Sequence, residues 1–352
     1  MMNTTDMNSI CILHNDICVT FYSDDNDEIE AIKNCFGYFW AVKDFLDSID
    51  KWTIVSSQVS SIRDIIDINK VSLPTGLFRN SSVKKAVIDK KHYYVHNMQG
   101  IDCLTCFDLE NKLTYFFHPH KISEYSYIRN LVREPFVAKY QELGHVALHA
   151  SACSIGDNGI LIPGPEGSGK STLLFSLLEY GASYLGNDAV LCKKENDSIT
   201  LVAPPQCIRL SKETALNNKS LSKFFSNTGD YYFINNKLEF TPNFLERIFP
   251  THHLIPTSKL KLLIIPTFDL STTDYYIESN NNYYSLLQNS LFNQYHNYVW
   301  SPFFHRLNDP SMDIYNFNIV FEYLPKVCYL RYGILNHYKQ KKLYDNILSI
   351  IN

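Results

Sequence analysis

The chain has 352 residues, of which 45% are hydrophobic and 19% charged, with a formal net charge of -4. That balance excludes a disordered chain, and the lack of a dense Lys/Arg stripe excludes the electrostatic footprint of a dedicated nucleic-acid binder. No run approaches the roughly eighteen apolar residues of a membrane span, and Met1 to Ser23 shows no basic-then-apolar leader pattern. A folded cytoplasmic protein with neither nucleic-acid nor membrane partners is therefore expected. Nine cysteines, an odd number spread along the chain, fit reduced thiols better than a disulfide framework.

In chain order, residues 9 to 22 alternate apolar and polar types around His14-Asn15-Asp16 and predict a hairpin, and Asp27 to Phe39 carries helical spacing. Strand-like pieces follow at Trp52 to Val55, Lys91 to His96, Ile101 to Leu109 and Leu113 to His118, which makes this region α+β. Cys103 and Cys106 form a C-x-x-C on one of those strands. Residues three apart on a strand point to opposite faces, so they read as two ordinary sheet cysteines rather than a metal or redox pair. Residues 122 to 143 have helical spacing, with Ile128, Leu131, Val132, Val137 and Leu143 on the apolar face, Pro135 as a bend or interruption and Gly144 as the stop. The expected organisation is an α+β domain over 1–121, a connecting helix over 122–144 and a second domain over 145–352.

The second domain opens on Val146-Ala147-Leu148-His149-Ala150, runs as a strand into Cys153, turns at Gly156-Asp157-Asn158-Gly159 and continues as the apolar strand Ile160-Leu161-Ile162. A glycine-rich loop follows. Then come a helix from Ser171 to Tyr180 stopped by Gly181, and a strand Tyr184-Leu185 leading to Asn187-Asp188. Beyond about residue 195, short strands alternate with Pro- and Asn-marked loops, with Leu260 to Pro266 as an apolar strand. The basic run Lys339-Gln340-Lys341-Lys342 reads as a solvated helix face.

The loop Gly164-Pro165-Glu166-Gly167-Ser168-Gly169-Lys170-Ser171-Thr172 matches the P-loop template in full, between an apolar strand and an amphipathic helix. In such a loop, glycines let successive backbone N–H groups turn inward around phosphate oxygens, the helix N-terminus adds its positive dipole end, and Lys170 reaches the β/γ oxygens. Ser171 would offer a hydroxyl to Mg²⁺. A second magnesium-side group should be a carboxylate at the end of a neighbouring strand; if helix 171–180 returns a parallel strand at 184–187, Asp188 falls on the loop's edge of the sheet. His149 either faces the γ-phosphate or an acceptor, or is a packing or surface residue; His145 lies four residues earlier. Glu166 is unusual beside phosphates and should point outward or share a cation. Arg209 is read either as a phosphate or acceptor contact or as an exposed strand arginine.

Leu148-His149-Ala150-Ser151-Ala152, the run Gly164 to Thr172 and Gly186-Asn187-Asp188 together resemble the C-terminal catalytic domain of HPr kinase/phosphorylase. The chain is closer still to the HPr-kinase-related proteins that occur beside peptide-modifying and other biosynthetic genes. The resemblance covers roughly residues 125 to 335, including Lys237-Leu238-Glu239-Phe240-Thr241-Pro242 and the strand at 262–266. It implies an α/β fold, α+β overall, whose P-loop domain has a mixed sheet related to phosphoenolpyruvate carboxykinase rather than to GTPases. It also implies ATP as the nucleotide, His149 as the histidine that positions or polarises the reacting groups, Lys170 on the phosphates, and Ser171 with Asp188 on Mg²⁺. HPr kinase assembles as a hexamer, which places a homo-oligomer among the expectations. One departure stands out. The family's proton-accepting acid aligns with Asn187, and an amide cannot act as a general base. Either His149 or Glu166 takes that role, or nucleotide is bound without strong phosphotransfer.

The expected function is thus an ATP- and Mg²⁺-dependent kinase that passes the γ-phosphoryl group to a Ser or Thr hydroxyl of a peptide or small protein, with the N-terminal domain recognising the acceptor or mediating assembly. The alternatives are a nucleotide-dependent switch with slow hydrolysis and a small-molecule kinase.

Overall fold

A computed structural model describes residues 4, 6–14, 16–37, 41–43, 50–67, 74–78, 81–98, 100–121, 125–204, 206–227, 232–234, 237–249, 253–279, 283–291, 310–322, 324 and 326–352. The chain divides into two compact units, Met1–Glu142 with Asn293–Asn308, and Leu143–Phe292 with Asp309–Asn352. Asn15 and Phe39, within the predicted hairpin and helix, and residues 293–308 lie outside the described residues.

In the first unit the strands are β1 (Asn8–His14), β2 (Ile17–Ser23), β3 (Ala41–Lys43), β4 (Asp50–Gln58), β5 (Pro74–Phe78), β6 (Ser81–Ile88), β7 (Lys91–Met98), β8 (Ile101–Asp108) and β9 (Leu113–His118), with helices α1 (Asn26–Phe36) and α2 (Ser126–Glu142). They form one sheet in the order β3-β1-β2-β4-β9-β8-β7-β6-β5. The pairs β2–β4 and β4–β9 are parallel, because a helix or a long excursion separates their members in sequence; the hairpin-linked neighbours are antiparallel. Helix α1 starts where Asp25 caps the Asp27 N–H, carries Asp27 and Glu28 in its first turn, and buries Ile32, Cys35 and Phe36.

The sequence suggests α2 as a connection between domains; the structure packs it against α1, β2 and β4, inside the first unit. Its buried face includes Tyr127, Ile128, Leu131, Val132, Phe136 and Val137, and Tyr127 Oη meets Thr105 Oγ1 at 2.6 Å. Pro135 sits inside the helix without ending it. Across the sheet, Leu104, Val95 and Phe117 pack with Ile62 and Ile66. Both sheet faces are therefore covered, which is why Cys103 and Cys106, on opposite faces of β8, are both buried. Burial pushes their thiols up to about 12 and about 11.

Helix α1 and the edge of β9 share a buried ion pair. Glu28 Oε1 lies 3.2 Å from His118 Nε2, with both side chains at most 1% exposed, and Ser23 Oγ donates to Glu28 Oε2 at 2.7 Å. Burial opposes the charged imidazole, but the Glu28 carboxylate and the His120 carbonyl hold its pKa above the ordinary value. A raised histidine pKa gives stability that is full below the unfolded value, about 6.5, and is lost as pH rises through the folded value. Unfolding experiments on the full chain should therefore show stability declining above about pH 6.5. Replacing His118 with Gln should flatten that limb; an unchanged slope would remove this pair as its cause.

The second unit contains β10 (Val146–Leu148), β11 (Ala150–Ile155), β12 (Asn158–Pro163), α3 (Lys170–Leu178), β13 (Ser183–Gly186), β14 (Val190–Glu195), β15 (Ser198–Val202), β16 (Ile208–Ser211), α4 (Lys212–Asn217), α5 (Lys219–Asn227), β17 (Tyr232–Ile234) and β18 (Lys237–Phe240). It continues with α6 (Phe244–Ile248), β19 (Thr257–Phe268), β20 (Tyr275–Glu278), α7 (Tyr284–Gln288), α8 (Pro310–Val320), β21 (Val327–Tyr332) and α9 (His337–Ile351). The main sheet runs β10-β14-β15-β19-β12-β11-β13, with β21 beside the C-terminal half of β19 and β20 beside β21. It is a mixed sheet: β19 pairs in parallel with β12 and β21, and antiparallel with β15. A separate three-stranded sheet has the order β16-β18-β17. The whole chain is accordingly mixed α/β.

One face of the main sheet buries Leu148, Leu161, Val190, Leu201 and Leu263 with Phe317 and Phe321. Helix α3 packs on β11 and β12 and touches α9. It buries Leu173, Leu174, Phe175, Leu177 and Leu178, as expected of a helix covered by both a sheet and another helix, and leaves Ser171, Thr172 and Ser176 partly exposed. The basic run at 339–342 lies on α9, where Lys341 pairs with Asp345 at 2.7 Å and Lys339 with Asp274 at 3.1 Å.

Candidate functional site

The glycine-rich loop joins the end of β12 to the start of α3, so β12 delivers the chain to the helix N-terminus. Gly169 is the residue before α3, at φ 95°, and it gives the helix no side-chain cap. The first intrahelical bond runs from the Leu173 N–H to the Gly169 carbonyl at 2.9 Å, which leaves the N–H groups of Lys170, Ser171 and Thr172 at the open helix end. Tyr332, at the end of β21, donates from Oη to the Gly169 carbonyl at 2.6 Å and so ties the loop's exit to the sheet. Ser168 Oγ is buried in the loop with no hydrogen-bond partner among the described residues.

Lys170 is 6% exposed, and its Nζ donates to the Gly164 carbonyl at 2.8 Å and the Pro165 carbonyl at 2.9 Å. Burial lowers its pKa, opposed by the charges of Asp188 and Glu166. A buried ammonium, an uncapped helix N-terminus and a buried hydroxyl without a partner converge on one loop. That set fits a phosphate group, whose oxygens are hydrogen-bond acceptors carrying negative charge.

The sequence argument needed β13 to end at the loop's edge of the sheet. It does so by an unexpected route: β13 pairs with β11 rather than with β12, antiparallel, and β11 is itself antiparallel to β12. Two reversals make β12 and β13 run the same way with β11 between them, so Asn187 and Asp188 emerge on the side where the loop begins. Gly186 permits this path because a Cβ there would lie 2.3 Å from Ala203 Cβ. Asp188 has φ 71°, a left-handed conformation that Asp tolerates better than most residues.

Asn187 is completely buried. Its Oδ1 accepts from Ser171 Oγ at 3.1 Å and from Ser151 Oγ at 2.6 Å. The amide oxygen therefore already accepts two hydroxyl hydrogen bonds. Ser171 and Asp188 supply the oxygen donors a hard divalent cation prefers. Among the described residues no three His, Cys, Asp or Glu side chains gather as a metal cluster.

His149 occupies the bend between β10 and β11, half-buried, and its backbone N–H donates to the Ser290 carbonyl at 2.6 Å. Burial and the Lys170 charge lower its pKa, while Asp188 and Glu166 work in the opposite sense. The imidazole thus shares the electrostatic field of Lys170, Asp188 and Glu166. Buried His145 lies on the other side of β10 in sequence.

Glu166 points outward, with its side chain 83% exposed, and meets Lys237 of β18 at 3.0 Å. Its pKa is lowered, chiefly by that hydrogen bond. A carboxylate so exposed and paired is poorly suited to the proton-accepting role that was one alternative for it. Arg209 donates from Nε to Glu239 at 2.6 Å across the β16–β18 pair, so its guanidinium belongs to a cross-strand ion pair rather than to the loop. Thr172 Oγ1 lies 3.0 Å from Thr214 Oγ1, linking α3 to α4.

Sequence reasoning missed Ser151, Tyr332 and Lys237. Ser151 was within reach of it, standing two residues after His149 on an obvious strand. Tyr332 and Lys237 come from elements more than sixty residues away; Tyr332 carries no local signal, and Lys237 stands in the stretch 237–242 that enters through the resemblance, with no role attached.

No family model matches the chain, and no curated protein does. Among solved structures the chain is similar to the HPr(Ser) kinase/phosphatase from Coxiella burnetii, at 12% identity and a TM-score of 0.27, over 58% of this chain and 94% of that chain. The relationship is distant. Likeness at that level says nothing about activity, and the site's own geometry carries the reasoning below. Among the described residues no helix is long and apolar enough to cross a membrane.

Proposed function

We propose that the second unit binds a nucleoside triphosphate with Mg²⁺ and transfers its γ-phosphoryl group to a hydroxyl, in the manner of a kinase. The observation that carries this is the loop from Gly164 to Gly169 leading into an uncapped helix N-terminus, with a buried Lys170 amine held on the loop's own carbonyls. In the nucleotide complex Lys170 would exchange those carbonyls for phosphate oxygens, and the N–H groups of the first α3 turn would hold the same anion. Ser171 and Asp188 would hold Mg²⁺, which neutralises charge building on the phosphoryl oxygens. ATP and an acceptor Ser or Thr on a peptide or small protein follow from the motif resemblance to HPr-kinase-related proteins.

The base in this reading is His149. Burial holds its pKa below the ordinary value, and it is close enough to Lys170 and Asp188 to feel their charges, whereas Asn187 cannot accept a proton and Glu166 is paired at the surface. Transfer should accordingly fall away on the acid side, below the ordinary histidine pKa of about 6.5, and be flat above it. Incubation with γ-labelled ATP and candidate acceptor peptides over a pH series tests this. His149→Ala should lower transfer about 10²- to 10⁴-fold and abolish the acid limb. An acid limb that persists in that variant would take His149 out of the chemistry.

A second reading, a nucleotide-dependent switch with slow hydrolysis, is favoured by one observation: the side chain at 187 is an amide, whose oxygen is held by two serine hydroxyls. Tight ATP binding with no acceptor labelling at any pH would select it.

A further inference from the structure

Taking the nucleotide-binding reading as its basis, we propose that Ser151 and Asn187 form a buried clamp that positions the Ser171 hydroxyl for a divalent cation. The argument begins with the sheet. Ala152 pairs with Gly186 across β11 and β13, which sets the preceding Ser151 beside the following Asn187. Ser151 is completely buried, pairs with Ile162 of the strand that leads into the loop, and donates to Asn187 Oδ1 at 2.6 Å. The same oxygen accepts from Ser171 Oγ at 3.1 Å. Asn187 Nδ2 is buried without a hydrogen-bond partner among the described residues, so the amide is anchored through its oxygen.

A hydroxyl that ligates a cation must offer a lone pair to the metal and place its proton on another acceptor. Asn187 Oδ1 is that acceptor for Ser171. Ser151 holds the amide in place from the adjoining strand β11. Being neutral, the clamp leaves Asp188 as the carboxylate at this end of the loop, so the cation's hold depends on how well Ser171 is oriented. Outer partners of metal ligands act in this way in general, and their loss costs about 10- to 100-fold in metal affinity. Ser151 is thus assigned as a positioning residue, which acts on the cation through Asn187 and Ser171.

The experiment measures ATP affinity by calorimetry with Mg²⁺ and again with EDTA, and takes the ratio. In Ser151→Ala the ratio should fall about tenfold relative to the unaltered chain, the loss confined to the Mg²⁺-dependent part. The double variant Ser151→Ala with Asn187→Asp should recover it, because a carboxylate accepts the Ser171 proton strongly without a second anchor. Asn187→Leu, which keeps the side-chain volume and removes the acceptor, probes the same bond from the other side and should lower the ratio as well. A ratio unchanged in both Ser151→Ala and Asn187→Leu overturns the clamp. Equal loss of binding with and without Mg²⁺ in these variants assigns the serine to packing and also overturns it. If the unaltered chain binds no ATP under either condition, the nucleotide-binding reading itself fails.

Discussion

Lys170→Ala is expected to reduce phosphoryl transfer from γ-labelled ATP by at least about 10²- to 10³-fold, the scale on which removing one preorganised charge-stabilising donor acts. The size of the effect follows from where the amine sits. It is nearly fully buried, so its charge is weakly screened by water, and it is held at the loop by the Gly164 and Pro165 carbonyls rather than by an ion pair. Of the cations on β16 and β18, Arg209 is committed to Glu239, and Lys237 meets Glu166 on the outside. Removing the amine also leaves two carbonyls without their donor, so the alanine variant could lose activity by distorting the loop. Lys170→Met preserves most of the side-chain volume and should lose transfer equally while keeping its thermal transition close to that of the parent chain. Label transfer that survives both substitutions would mean the phosphate site lies elsewhere.

The largest stability effect is expected from Gly169→Ala. At φ 95° an L-residue is strained by roughly 1–2 kcal/mol. The added Cβ would also lie 2.6 Å from Tyr332 Oη and 2.8 Å from Phe268 Cβ, contacts that force an overpacking cost of about 1–3 kcal/mol. The combined loss of about 2–5 kcal/mol is a large share of a domain's net stability. It should appear in urea unfolding followed by far-UV circular dichroism. Tyr332→Phe in the same chain removes the nearer clashing atom and the bond to the Gly169 carbonyl, but neither the strain nor the Phe268 contact. Rescue should therefore be partial. A Gly169→Ala variant within about 0.5 kcal/mol of the parent would contradict the loop path described here.

These expectations differ in how far they could be anticipated. Lys170 and Ser171 are read from the loop's spacing and from the strand and helix around it, because a P-loop is a local device whose glycines, lysine and hydroxyl stand within one turn of chain. Asp188 was assigned through a conditional step about crossover direction, and the structure reaches the same edge of the sheet with β11 inserted between β12 and β13. The direction of a strand could be anticipated, its neighbour could not. Glu166 and Arg209 each have two readings in the sequence, and in the fold each pairs with one residue on β18, Lys237 and Glu239. No local pattern announces that a strand seventy residues later supplies the partner.

The helix at 126–142 carries the same lesson for organisation. Its spacing revealed the helix and most of its buried face, but its place against α1, β2 and β4 depends on contacts with residues a hundred positions earlier. For the site, the sequence by itself determined which groups are offered for phosphate and cation, since side-chain type and short-range spacing are legible in it. Only the tertiary structure decided what each group does with its remaining bonds. Pairing across the sheet set Ser151 on Asn187 and Asn187 on Ser171, and such contacts arise from register between distant strands, which no window of sequence contains.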